Sequence, residues 1–164
     1  MNVYYFAYGS NMNSARMKAR GLVFSAGQAA VLPGYRLAFN KQSHSRPTVA
    51  YANIVPASQR WVEGVVYQLD SEQELLKMDV FEGTPVRYSR ERMLLQVGES
   101  VQGAWVYTAN PAFINNQLLP ESNYLAHLLA AKNHLSADYL YWLQTHPCIS
   151  SACAGGDDGL IFNV

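Results

Sequence analysis

The run Val3-Tyr4-Tyr5-Phe6-Ala7-Tyr8 carries an apolar or aromatic side chain at every position. A short β-prone run with no polar face reads as a strand covered on both sides. It breaks at Gly9-Ser10-Asn11. Helix-like sequence follows, Ala15-Arg16-Met17-Lys18-Ala19-Arg20, with Asn13 or Ser14 as N-cap. A buried strand that runs into such a turn and then a helix aims several backbone N–H groups at one point. That arrangement suits a carboxylate or an oxyanion. An ordinary strand-to-helix turn has the same local sequence, so the motif needs its context.

The first two-thirds of the chain reads mostly as strand. Pro33-Gly34 predicts a turn, Tyr35 to Phe39 a half-buried strand, and Asn40 to Pro47 a polar loop that includes Lys41, His44 and Arg46. Thr48 to Val55 predicts a strand ended by Pro56, and Trp61 to Leu69 another, with Gly64 marking a bulge or a close backbone approach. The period then changes. Ser71-Glu72-Gln73-Glu74 reads as a capping box opening a short helix that ends at Phe81-Glu82-Gly83, before Pro85. Val86 to Val97 and Val101 to Ala109 predict a hairpin across Gly98-Glu99-Ser100, and two helices follow over 123–133 and 136–145. The expectation is a single domain over 1–164 with a flexible tail from about residue 150, in which Leu160-Ile161-Phe162 adds an edge strand.

Composition narrows the function classes. Hydrophobic residues make up 49% and charged residues 15%, so the chain can bury a core. The formal net charge is zero and no basic stripe is present, which argues against nucleic acid or an anionic membrane as partner. No apolar run reaches the length of a membrane span, and no signal peptide opens the chain, so the expected location is cytoplasmic. Cys148 and Cys153 with His146 form a poor metal signature, and two reduced structural cysteines are the better reading. No metal and no cofactor are expected: His44, His127, His134 and His146 lack ligand spacing, and no phosphate-binding glycine pattern occurs.

Glu82 is the acidic residue that stands out. At a helix C-terminus a glutamate opposes the dipole, and beside Phe81 it suits a general base in apolar surroundings. Asp79 reads as structural. A protein nucleophile is not evident, since Ser10 lacks the Gly-x-Ser-x-Gly elbow.

Together these pieces resemble a known family. Tyr5-Phe6-Ala7-Tyr8-Gly9-Ser10-Asn11 is similar to the N-terminal signature of the gamma-glutamylcyclotransferase-like proteins. Val62-Glu63-Gly64-Val65-Val66-Tyr67 resembles the strand before their catalytic helix, and Met78-Asp79-Val80-Phe81-Glu82-Gly83 resembles their Leu-Asp-x-x-Glu-Gly segment. The C-terminal helices are similar in pattern, with Ala130 and His134 where the family has glycines.

The resemblance covers about residues 3 to 146. It implies an α+β fold, a small mixed β-barrel with helices packed outside, and Glu82 as the acid/base residue. It also implies a substrate pocket with Tyr8, Gly9, Ser10, Asn11, Tyr88 and Tyr107. The implied reaction converts a small-molecule γ-glutamyl amide to 5-oxoproline and a free amine, with the substrate's own amine as nucleophile. Two alternatives stand beside it: γ-glutamyl-lysine or a biosynthetic intermediate as substrate, and a non-catalytic binding module of the same fold.

Overall fold

The computed structural model describes residues 2–151. Among them are strands β1 (Val3–Ala7), β2 (Gln28–Gln42), β3 (Ala50–Leu69), β4 (Tyr88–Val97) and β5 (Ser100–Ala109). The helices are α1 (Ser14–Ala19), α2 (Glu72–Glu82), α3 (Ser122–Leu129) and α4 (Ala137–Gln144). The strands close into a barrel in the order β1-β3-β2-β4-β5. The fold is therefore α+β, with a mixed barrel and helices around it.

The N-terminal run occupies the position its composition demands. β1 pairs antiparallel with β3, Val3 opposite Leu69 through Ala7 opposite Val65. On its other edge it pairs parallel with β5 at Tyr5 and Trp105, which closes the barrel. Phe6 and Ala7 have no solvent exposure. Gly64 is the close approach that its place in a strand suggested. A Cβ there would lie 2.3 Å from the Ala7 carbonyl oxygen and 2.7 Å from the Phe6 ring.

Several sequence expectations need correction. Pro33-Gly34 is not a turn between strands but an irregularity inside β2, where the register with β3 shifts between Pro33 and Tyr35 and Gly34 takes φ 80°. Pro56 does not end a strand. It faces Tyr35 at the same irregularity, so both prolines sit where the ladder is already broken and their missing N–H costs no regular bond. Residues 40–42 continue β2 rather than opening a loop.

The capping box also fails to form. Ser71 heads α2 without a side-chain cap. Glu74 turns inward and accepts hydrogen bonds from the Val23 N–H at 2.9 Å and Lys77 Nζ at 2.8 Å. Satisfying a backbone donor from another segment outweighs a local cap.

Other local signals hold. Asn13 caps α1 by accepting from the Ala15 N–H, Gly83 ends α2 in the left-handed region, and Ser136 caps α4 by accepting from the Tyr139 N–H. Ser136 also donates to Glu63 of β3, at 2.7 Å from its N–H and 2.6 Å from its hydroxyl, so the cap docks α4 onto the barrel. His127 and His134 do not share a helix, because α3 ends at Leu129. His127 is buried with Nδ1 3.0 Å from Asn13 Nδ2, and His134 Nε2 lies 3.2 Å from the Gly27 carbonyl. No helix among the described residues is long and apolar enough to cross a membrane. Cys148 is exposed, whereas Cys153 and the strand expected at 160–162 lie outside the described residues.

The Gly64 contact makes a direct test. Gly64→Ala forces a methyl against a backbone oxygen that cannot rotate away, so the variant should lose about 1–3 kcal/mol of unfolding free energy in urea titrations. Unchanged stability would show that β1 and β3 tolerate separation.

Candidate active site

Tyr8 leaves β1 at one end of the barrel, and Gly9-Ser10-Asn11 turns the chain there. Residues 10–12 form a single 3-10 turn, closed by the Met12 N–H bonding to the Gly9 carbonyl at 3.0 Å. The N–H groups of Ser10 and Asn11 head that turn and have no carbonyl of their own turn to donate to. The turn is held from outside: the Tyr67 hydroxyl donates to the Met12 carbonyl at 2.9 Å. The expected contribution of the α1 dipole is displaced, because the 3-10 turn separates α1 from Gly9 and the Asn13 side chain caps α1.

Glu82 comes to the same place from the last turn of α2 and is buried. Asn11 Nδ2 donates to Glu82 Oε1 at 3.2 Å and to the Tyr5 hydroxyl at 3.1 Å. Arg20 Nη1 donates to Asn11 Oδ1 at 2.9 Å and lies 3.4 Å from Glu82 Oε1, while its guanidinium stacks on Phe81 with 4.7 Å to the ring centroid. Both contacts are made to Oε1, and no hydrogen bond among the described residues ties Oε2. The surroundings are thus polar, not the apolar pocket that Phe81 suggested.

One narrow cavity, about 330 Å³ including its mouth, is lined by Glu82, the Gly9–Asn11 turn and the rings of Tyr5, Tyr8, Tyr88, Tyr107 and Tyr124, with Ala52. Glu82 and every pocket residue that the family resemblance implies lie on its wall. The hydroxyls are fixed: Tyr8 donates to the Tyr107 carbonyl, Tyr88 to the Ala52 carbonyl at 2.8 Å, and Tyr107 to Asp79 Oδ1 at 2.7 Å. Arg90 Nη1 reaches both Asp79 oxygens, at 3.2 and 3.0 Å, so Asp79 serves to hold Tyr107. Burial raises the pKa of Tyr5, Tyr8, Tyr88 and Tyr107 well above the ordinary tyrosine value. The Glu82 charge adds to this at all four, and Tyr124 is pushed up to about 12 by the same burial. The rings therefore stay neutral near physiological pH. They offer hydroxyls, not phenolates.

Tyr5, Arg20, Tyr124, Ala52 and Lys41 belong to this region and were not singled out from the sequence. Tyr5 lies within the N-terminal motif, and Arg20, the C-cap of α1, sits four residues after the buried Arg16, a spacing that puts both on one side of the helix. Tyr124 and Lys41 had no local signal. His44 and Arg46, from the stretch that reads as a polar loop, are engaged elsewhere: Arg46 pairs with Glu121 at 2.6 Å, and His44 Nδ1 faces Arg87 Nη2. Among the described residues no three His, Cys, Asp or Glu side chains gather as a metal site.

Residues 5–126 match the family described as gamma-glutamyl cyclotransferase, AIG2-like. The chain belongs to that family. Its fold is that of solved gamma-glutamyl cyclotransferase structures. One such enzyme superposes with a TM-score of 0.79 at 21% identity, over 96% of this chain and 93% of the other. An uncharacterized protein from Homo sapiens gives 0.77 at 22% identity, over 95% and 92%. A yeast gamma-glutamyl cyclotransferase specific to glutathione gives 0.63 at 15% identity, over 87% and 93%. No curated protein sequence matches the chain. Against the gamma-glutamyl cyclotransferase, AIG2-like family, the matched span begins within β1, takes in the turn, Glu82 and both β4 and β5, and stops within α3.

Lys41 carries a consequence for stability. It has no solvent exposure, and burial together with the nearby Arg87 charge lowers its pKa from 10.5 to about 8, against the opposing pull of Glu82. Between those two values the unfolded chain binds the proton more tightly, so stability from this group rises with pH across the window and is lowest below it. Lys41→Met should be as stable as the parent or more stable at pH 7, and the difference should shrink as pH rises through the window. Urea unfolding of both proteins across that range checks it. A pH-independent difference would show that Lys41 titrates normally.

Proposed function

We propose that the protein is a cyclotransferase that converts a γ-glutamyl amide to 5-oxoproline and the free amine. The observation that carries this reading is the shared cavity of Glu82 and the Gly9–Asn11 turn, joined by the bond from Asn11 Nδ2 to Glu82 Oε1. Family membership supports it independently.

In this reading the substrate supplies the nucleophile. Glu82 takes a proton from the α-ammonium through the untethered Oε2. The freed amine attacks the γ-carbonyl, forming the new C–N bond of the five-membered ring. Collapse breaks the original amide bond as the proton held by Glu82 passes to the departing nitrogen, and the second proton of the new ring nitrogen leaves through Glu82 to the released amine. Folding the substrate so that its two ends meet makes the attack intramolecular, an advantage of about 7–11 kcal/mol when alignment is good. The Ser10 and Asn11 N–H groups meet either the α-carboxylate or the oxyanion of the tetrahedral intermediate. Arg20 and Asn11 fix the Glu82 carboxyl, and the neutral tyrosines exclude water while presenting hydroxyls.

Two variants test the assignment. Glu82→Gln keeps the shape and removes the base, so 5-oxoproline formation should fall by about 10²–10⁴-fold with an unchanged circular dichroism spectrum. Comparable turnover in the folded variant would remove Glu82 from the mechanism. At the turn, Ser10→Ala should be milder than Gly9→Val. A Cβ at Gly9 already meets the Tyr124 hydroxyl at 3.0 Å and Ala52 Cβ at 3.1 Å, so a branched side chain must push into the cavity. The reverse order would assign the role to the Ser10 hydroxyl.

A further inference from the structure

Lys41 is a buried cation that the chemistry above does not use. It lies near the C-terminal end of β2, where the register with β3 shifts between Phe39 and Lys41. Phe39 faces Ala52 while Lys41 faces Tyr51, so Asn40 is the extra residue of a bulge. Such irregularities re-aim side chains. The bulge is locked by asparagines: Asn53 Nδ2 donates to Asn40 Oδ1 at 3.1 Å, and Asn40 Nδ2 to Asn116 Oδ1 at 2.8 Å.

The result is a fully buried ammonium. Nζ has no hydrogen-bond partner among the described residues. Its contacts are two aromatic faces, Tyr88 with 5.1 Å to the centroid and Tyr51 with 5.6 Å. Tyr88 is also a wall of the candidate active site. Ala52, whose carbonyl accepts from Tyr88, is a second wall and follows directly after Tyr51. Lys41 thus stands one ring behind the cavity. Glu82 is the carboxylate that bears on it, and it already has Arg20 beside it. Arg87 is a second positive charge close enough to bear on it. A buried charge without an ion-pair partner is costly. Its field acts on whatever enters the cavity through a medium that screens it weakly.

We propose that Lys41 is a specificity-determining residue whose charge, set behind Tyr88, selects substrates carrying a carboxylate. This rests on the cyclotransferase reading for the identity of the substrate. A γ-glutamyl amino acid offers two such groups, the glutamyl α-carboxylate and the carboxylate of the leaving amino acid. Neither changes charge during cyclisation. The attraction to the substrate is therefore equal in ground and transition states, and its loss raises KM; the same charge bears on Glu82, which changes protonation during the reaction, so a change in kcat is common to every substrate while the change in KM follows the carboxylate. A lysine needed only to hold Tyr88 in place would change the constants alike on every substrate, whether or not it carries the carboxylate.

The test uses the full chain with Lys41→Met, which keeps the apolar stem and removes the charge. Three compounds are compared: γ-glutamyl-alanine, γ-glutamyl ethylamide, and γ-glutamyl-alanine with the glutamyl α-carboxylate amidated. On γ-glutamyl-alanine KM should rise about 10–100-fold. The effect should vanish on the one analogue that lacks the carboxylate Lys41 serves: the ethylamide if it is the leaving group's, the α-amide if it is the glutamyl unit's own. Equal losses on all three, a fall confined to kcat, or no change overturns the proposal. Titration calorimetry in the Glu82→Gln background reads binding without turnover. If the parent protein binds these compounds but forms no 5-oxoproline, the cyclotransferase reading falls and Lys41 is judged on affinity alone. If it binds none of them, both fall.

Discussion

β1 has a hydrogen-bonding neighbour on each edge, and the candidate site hangs from its C-terminal end. The antiparallel pairing with β3 fixes its register, and the parallel contact with β5 fixes the closure of the barrel. Closure in turn decides what surrounds Tyr8 to Asn11. β5 brings Tyr107 beside Tyr8, β4 brings Tyr88, and α2, which follows β3, delivers Glu82. The close packing of Gly64 on Ala7 lets β1 and β3 approach at the point just before the turn. Nothing in the turn itself specifies a carboxylate seventy-one residues away; the barrel does.

The electrostatics of the region follow from burial. Arg16, Arg20, Lys41 and Glu82 are all withdrawn from water. Arg16 is lowered to about 10, chiefly by burial and then by the neighbouring Arg20 charge. Positive charge thus outweighs negative around the cavity, although the chain as a whole is neutral. Asn11 mediates between the opposite signs, accepting from Arg20 and donating to Glu82 with a single amide. An amide is suited to this because it offers an acceptor and donors on one rigid plane.

Much of this was legible locally. The all-apolar run predicted β1, Gly83 predicted the end of α2, and Gly98-Glu99 the hairpin, because each signal acts within a few residues. The barrel and the family were legible from motif order. What failed were signals that tertiary context overrides. Pro33, Gly34 and Pro56 break strands in isolation but are absorbed where two long strands share one irregularity. Glu74 abandons its cap for a donor fifty-one residues away. Lys41 sits in a polar stretch that reads as loop, and only the bulge at Asn40 and the rings of Tyr51 and Tyr88 reveal it as interior. Tyr124 arrives from α3, where a buried tyrosine is indistinguishable from any core aromatic.

The strand order has a consequence for motion. β2 and β3 pair along nearly their whole length, from Gln28–Val66 to Gln42–Ala50, whereas among the described residues the β4–β5 hairpin meets the remaining strands in register at Val31–Gln96 on one side and Tyr5–Trp105 on the other. Segments joined by few backbone bonds open locally at lower free energy than those joined by many. At the site end the hairpin is fastened by side chains instead: Tyr88 donates to the Ala52 carbonyl, the Tyr107 carbonyl accepts from Tyr8, and the Ala109 N–H donates to Asn53 Oδ1. The bonds that shape the tyrosine wall thus also hold the hairpin to the barrel, so loss of the Tyr8 or Tyr88 hydroxyl would loosen the closure of the barrel as well as reshape the cavity.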